Sequence, residues 1–169
     1  MVTNSDEIAS RLRRLHQYGW SSKYKVEDRG GRNSRLDEMQ AAALSVFLPD
    51  LDCANTRRRA IASEYSRAIS NPHVQFPKIY GEEYVAHLYV IRAKQRDALR
   101  AHLKSCGIST EIHYPIPDHQ QPIFSGCMLS VDLRSTERLS EEILTLPCYP
   151  EMKDVAVCRV ISAVNSWLM

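Results

Sequence analysis

The densest set of chemically able side chains runs from Glu111 to Gln121, in the order Glu-Ile-His-Tyr-Pro-Ile-Pro-Asp-His-Gln-Gln. Imidazole N–H groups and the Tyr114 hydroxyl suit the oxygens of a phosphate or a sugar. From the residues alone, His113 is either a donor to a ligand or a structural histidine satisfied inside the fold. His113 and His119 are also metal-ligand types, but no third ligand clusters with them in sequence, so no metal site is expected. A second candidate is Gly30-Gly31-Arg32-Asn33-Ser34-Arg35, a glycine-bearing loop running into a helix start. Backbone N–H groups at such a junction, with Arg32 and Arg35 beside them, suit an anion. Two arginine runs, Arg11/Arg13/Arg14 and Arg57-Arg58-Arg59, fall on expected helices and read as solvated faces. No GxxxxGK[ST], GxGxxG or GxSxG segment occurs.

The elements that must position these groups follow from hydropathy period and breakers. Ser5-Asp6-Glu7 opens a helix with Ile8, Leu12 and Leu15 on one face and Gly19 as its stop. Residues 20–33 show neither period and read as a long exposed loop. Ser34 to Asp37 resembles a capping box that starts a second helix carrying Leu36, Met39, Ala43, Val46 and Phe47. Pro49 breaks it, and a third helix spans Asp50 to about Ser70, with Leu51, Ala54, Ile61, Tyr65 and Ala68 inward. Val74–Ile79, Tyr84–Arg92 and Ile108–Tyr114 read as strands, with a helix over Gln95–Cys106 that stops at Gly107. Pro115, Pro117 and Pro122 shape a loop with at most a short helix. Ser135–Leu144 and Met152–Trp167 read as the last helices, the latter burying Val157, Val160, Ile161, Val164 and Leu168. The fold class is α+β: long N-terminal helices, then a small, mostly antiparallel sheet with helices packed on it.

Composition bounds the function classes. The chain has 169 residues, 44% hydrophobic and 25% charged, as in an ordinary globular protein rather than a disordered or fibrous one. With 22 basic and 20 acidic residues the net charge is +2, too balanced to suggest nucleic acid, and no basic face is interleaved with aromatics. No apolar run approaches the roughly 20 residues of a membrane span, and the N-terminus lacks a signal pattern, so a cytoplasmic address is expected. Five cysteines (Cys53, Cys106, Cys127, Cys148 and Cys158), without a CxxC pair, read as reduced thiols.

The stretch Gly31-Arg32-Asn33-Ser34-Arg35-Leu36-Asp37-Glu38-Met39-Gln40-Ala41-Ala42 resembles the G-x-N-[SF]-R-[LM]-x-x-x-Q-A-A segment of the DegT/DnrJ/EryC1/StrS family. These are pyridoxal-phosphate (PLP) sugar aminotransferases of the aspartate aminotransferase fold. Further similarities follow in family order: Arg57-Arg58-Arg59 with Tyr65, His87–Ile91, Gly107–Pro115 as G-I-x-T-x-x-H-Y-P, and Leu146–Pro150 as L-P-x-[YF]-P. Val2-Thr3-Asn4 and Arg11–Gly19 are similar to the segment after the family's cofactor lysine. The resemblance covers nearly the whole chain.

It implies that residues 1–48 would follow the large PLP domain, with loop 20–33 reaching a partner subunit, and that 49–169 form the C-terminal small domain. Asn33 would bond the PLP phosphate across a homodimer interface. Arg35, His113 and Tyr114 would bind the nucleotide sugar. The family moves an amino group from glutamate to a keto-sugar on a nucleoside diphosphate, and the Ile112–Gln120 run is similar to members acting on 3-keto-6-deoxy sugars. Lys23, Lys25, Lys78, Lys94, Lys104 and Lys153 match no Schiff-base position, so that lysine is expected upstream of Met1. This chain alone would then hold no PLP stably and catalyse nothing, and Met39 and Phe47 would be exposed where the upstream part covers them. The alternative reading is a non-catalytic binding module derived from that fold.

Overall fold

The computed structural model describes residues 2–77, 81–124 and 132–168. The chain folds as two compact units, Met1–Pro49 and Asp50–Met169.

In the first unit, helix α1 (Asp6–Leu15) starts at Ser5, whose hydroxyl accepts from the Ile8 N–H at 3.3 Å. Asp6 and Glu7 place negative charge at the positive end of the helix dipole. The helix ends at Leu15 rather than beside Gly19, because returning chain takes its last carbonyls. The Arg32 N–H donates to Leu15 at 2.9 Å and the Ser34 N–H to His16 at 3.0 Å.

Residues 20–33 are not the plain loop their lack of period suggested. They hold an antiparallel hairpin of β1 (Trp20–Ser22) and β2 (Lys25–Val26), with Trp20 packed tilted against Tyr18 at 5.2 Å and edge-on to Tyr24 at 5.3 Å. Helix α2 (Glu38–Phe47) is capped by Asp37, which accepts from the Met39 N–H at 2.9 Å. Ser34 does not cap it, since its backbone is committed to His16. No residue of α2 is buried, and Met39 and Phe47 are 82% and 70% exposed. Pro49 sits in a 3-10 turn, Leu48–Asp50.

The second unit holds α3 (Leu51–Ala68), β3 (Tyr89–Arg92), α4 (Arg96–Ser105), α5 (Arg134–Glu142), β4 (Ile143–Leu146) and α6 (Asp154–Ser166). β3 pairs antiparallel with β4, Tyr89 opposite Leu146 and Arg92 opposite Ile143. Single bridges extend the sheet on both margins, Gln75 to Arg92 and Glu111 to Thr145. The strands expected over Val74–Ile79 and Ile108–Tyr114 reduce to these two bridges, with Lys78 and Ile79 outside the described residues. Tyr84–Arg92 shortens to β3. β4 replaces the end of the helix expected over Ser135–Leu144. The proline-rich stretch holds only two 3-10 turns, Asp118–Gln120 and Pro122–Phe124.

The core collects Ile61 and Tyr65 of α3, Tyr89 and Ile91 of β3, Leu99 and Leu103 of α4, Leu144 and Leu146 of β4, and Val157, Val160 and Val164 of α6. Leu51 and Leu168, expected inward, are 47% and 85% exposed. Each lies at the first turn or beyond the last turn of its helix, where the face no longer meets the core. The buried Asn71 and the half-buried His102 staple the helices. Asn71 donates to the Val164 and Trp167 carbonyls, both at 2.8 Å, and the His102 Nε2 donates to the Ala163 carbonyl at 2.9 Å. Among the described residues no helix is long and apolar enough to cross a membrane.

Candidate functional site

The four residues singled out from the sequence fall in two places, Asn33 and Arg35 in the first unit and His113 and Tyr114 in the second.

Asn33 owes its position to two glycines. The backbone at Gly31 runs against that at Gly19, so a Cβ on Gly31 would lie 2.1 Å from the Gly19 nitrogen and 2.2 Å from the Tyr18 carbonyl carbon. Gly19 itself has φ +76°, and a Cβ there would meet the Asp28 carbonyl oxygen at 2.1 Å. Only residues without a side chain permit this approach. It lets Asn33 bridge to Gln17, flanked by the Tyr18 N–H on the Arg32 carbonyl at 3.1 Å and the Ser34 N–H on that of His16. The backbone is thus fixed while the side chain stays exposed. The Arg35 Nε donates to the Asn33 Oδ1 at 3.1 Å. That bond leaves the Asn33 amide NH2 and the terminal guanidinium nitrogens of Arg35 facing outward as donors, a set suited to a phosphate.

His113 stands just past the Glu111 bridge. The Thr145 N–H donates to the Glu111 carbonyl at 2.7 Å, and the Glu111 N–H returns a bond at 3.3 Å. The Thr145 hydroxyl is hydrogen-bonded to the His113 Nδ1 at 2.9 Å, and Thr145 is only 7% exposed. Three bonds from one buried residue therefore fix the strand margin and the ring, leaving Nε2 without a protein partner among the described residues. The Tyr114 ring stands edge-on to His113 at 5.6 Å and is 73% exposed. His113 borders a cavity of about 420 Å³ lined among others by Thr110, Thr145, Tyr149 and Arg159. The exposed Arg159, also on that lining, donates through its Nη2 to the Cys106 carbonyl at 2.5 Å.

Sequence reasoning missed Thr145 and Arg159. Thr145 lay past the end of an expected helix and Arg159 on a helix read only for its apolar stripe. The visible signal was a lone hydroxyl in the run Ile143-Leu144-Thr145-Leu146. His119 does not join His113; its Nε2 meets Glu137 at 3.0 Å. The arginine run at 57–59 is not a solvated face. Arg57 donates to the Met152 carbonyl and to Asp154, both at 2.6 Å, and Arg58 and Arg59 are half-buried. Burial pushes the Cys148 thiol up to about 11 and the Tyr89 hydroxyl up to about 12, so both stay neutral at physiological pH. Among the described residues, no cluster of three or more His, Cys, Asp or Glu is placed to hold a metal ion.

The sequence profile of the DegT/DnrJ/EryC1/StrS aminotransferase family matches residues 1–165. The chain is 41% identical over 170 residues to the dTDP-3-amino-3,4,6-trideoxy-alpha-D-glucose transaminase of Streptomyces venezuelae, across 99% of this chain and 45% of that protein. It is also 41% identical over 168 residues to the dTDP-3-amino-3,6-dideoxy-alpha-D-galactopyranose transaminase of Aneurinibacillus thermoaerophilus, across 99% and 46%. Among solved structures, DesV of S. venezuelae superposes with a TM-score of 0.90 at 40% identity, over 98% of this chain and 45% of that one. A Bacillus subtilis structure with bound cofactor PMP gives 0.86 at 25% identity, over 96% and 40%. The chain thus spans about half the length of the relatives it matches.

Proposed function

Because the chain belongs to the DegT/DnrJ/EryC1/StrS aminotransferase family, we propose that it is the C-terminal portion of a PLP-dependent aminotransferase acting on a nucleotide sugar. The amino donor is glutamate. The acceptor is a 3-keto-6-deoxy sugar on dTDP, in keeping with the dTDP-3-amino-sugar transaminases at 41% identity. The enzyme works in the cytoplasm as a homodimer in which residues 1–48 follow the large domain and residues 20–33 enter the partner's site.

The observation that carries the reading is the exposed amide of Asn33 on a backbone bridged to Gln17 beside the close approach of Gly31 to Gly19. This donor set fits the cofactor's phosphate: Asn33 offers amide N–H groups, and Arg35 holds its orientation through Oδ1. PLP, when bound, supplies the electron sink that stores the amino group. The rest falls to this chain's side chains. The remaining guanidinium nitrogens of Arg35 bind substrate oxygens. His113, fixed by Thr145, presents Nε2 to the sugar or the diphosphate, and the exposed Tyr114 hydroxyl bonds beside it. None of the chain's lysines serves as the covalent anchor, so residues 1–169 alone hold no PLP stably.

The test has two arms. Titrating this chain with PLP and trapping with borohydride should give no stoichiometric adduct on any single lysine, and such an adduct on one lysine overturns the reading. In the complete enzyme, Asn33→Ala should weaken PLP binding about ten- to a hundredfold, the cost of one hydrogen bond to a charged group. Unchanged PLP affinity removes Asn33 from the site.

A further inference from the structure

We propose that a hollow on the Gln75 margin of the sheet binds a small molecule bearing a pyrophosphate or similarly charged phosphate group. Bridges and pairing put Gln75, β3, β4 and Glu111 in that order across the sheet, so this hollow and His113 lie at opposite margins. The hollow encloses about 680 Å³ between the Pro72–Gln75 turn, the end of β3 and helix α5.

Its charge is one-sided. Arg92, Lys94 and Arg138 line it, against the single carboxylate of Glu142. That carboxylate is already committed, because one of its oxygens accepts from both the Nε and Nη2 of Arg92, at 3.1 and 2.6 Å. Arg138 lies one helical turn before Glu142, where an i,i+4 pair would ordinarily form, and is left without it. Neither Lys94 nor Arg138 has a carboxylate within 4.0 Å among the described residues. Two uncompensated cations in one concave wall repel each other, and the field they focus favours an anion.

The chemistry of the two groups narrows the ligand. A planar guanidinium binds two phosphate oxygens at once, and an ammonium on a flexible stem adapts to a neighbouring phosphate. A cavity of this size falls in the range of small-molecule sites, roughly 300–1,000 Å³, and is far larger than one orthophosphate. The exposed Pro72 ring adds apolar surface for the remainder of such a ligand.

Isothermal titration of this chain with inorganic pyrophosphate, at low ionic strength, tests the site. One saturable site is expected, weakening steeply as salt is added. Arg138→Gln and Lys94→Gln should each weaken it about tenfold or more, as the loss of a charge-assisted hydrogen bond requires. Both side chains are exposed, so the variants keep the fold, which amide NMR spectra verify. Those spectra should also place the shifts on residues 72–75, 92–94 and 138–142. Arg35→Gln should leave the binding unchanged, which separates this site from the phosphate donors proposed above. The absence of saturable binding, or binding that survives the Lys94→Gln/Arg138→Gln double variant, overturns the proposal. So does binding that disappears with Arg35→Gln while the double variant keeps it, a result that would leave the aminotransferase reading standing.

Discussion

Gly31→Ala is the sharpest perturbation of the Asn33 site, because the new methyl group meets backbone and nothing that can swing aside. Its Cβ would stand 2.1 Å from the Gly19 nitrogen, 2.2 Å from the Tyr18 carbonyl carbon and 2.7 Å from the Gly19 Cα. Restoring an ordinary contact of 3.4 Å requires the two segments to part by about 1.3 Å. The bonds that join them measure 3.1, 2.9 and 3.0 Å, from the N–H groups of Tyr18, Arg32 and Ser34. A separation of that size takes all three beyond bonding range. Each is worth about 1 kcal/mol net, and water recovers part of this at an exposed edge, so local stability falls by about 1–3 kcal/mol. Amide hydrogen exchange at Arg32 and Ser34 should then speed up about five- to a hundredfold. Gly30→Ala is the control. It has open space within 4 Å but φ +85°, so it costs about 1–2 kcal/mol of left-handed strain without forcing the segments apart. In the aminotransferase proposed above, Gly31→Ala should weaken PLP binding along with the protection loss. Unaltered exchange at Arg32 and Ser34 would refute the close-approach argument.

Thr145→Val removes the hydroxyl from the His113 Nδ1 and leaves the strand bridge intact, so stability should fall by only about 1 kcal/mol in chemical denaturation. The His113 imidazole should lose its fixed tautomer in nitrogen NMR, and the aminotransferase proposed above should show a higher KM for the nucleotide sugar with a smaller change in kcat. Burial raises the Cys148 thiol from 9.0 to about 11, so its contribution to stability is complete below pH 9 and is lost as pH rises through 11. Cys148→Ala should flatten the fall in denaturation midpoint over that window, leaving the later loss from the raised Tyr89 hydroxyl. The apolar face of α2, with Met39 82% and Phe47 70% exposed, should make the isolated chain self-associate at high concentration. Sedimentation should show Phe47→Glu restoring the monomer, and a wild-type chain that stays monomeric throughout contradicts this.

What the sequence disclosed divides along physical lines. Where a helix buries one face, the period is written in the residues. Leu99 and Leu103 on α4, and Val157, Val160, Ile161 and Val164 on α6, are buried as their spacing requires. Where structure rests on pairing distant in sequence, the period is too short to see. β4 is four residues joined to α5 without an intervening loop, so Ile143 and Leu144 read as one more turn of helix. The strand margins at Gln75 and Glu111 are single bridges, and the β1–β2 hairpin is mostly exposed and has no apolar alternation. The arginines at 57–59 resembled a solvated run because nothing local shows that the start of α6 comes back to meet Arg57.

The two candidate sites are held in place in the same way. Asn33 and His113 each sit on chain with little regular structure of its own, fixed by bonds to a segment elsewhere: residues 15–18 in one case and Thr145 in the other. Motif resemblance could name the presented side chains, since they are chemically distinctive. It named Gly31 as part of the motif but not the Tyr18–Gly19 backbone that Gly31 meets, and it passed over Thr145, because contacts distant in sequence and a single hydroxyl leave no local pattern. Yet the holding residues decide whether the presented groups are ordered before a ligand arrives. An exposed amide on a mobile loop would have to be ordered at roughly 1–2 kcal/mol per residue when it binds, whereas Asn33 has met that cost in folding. Substitutions at Gly31 and Thr145 should therefore weaken binding without removing a single atom that touches the ligand.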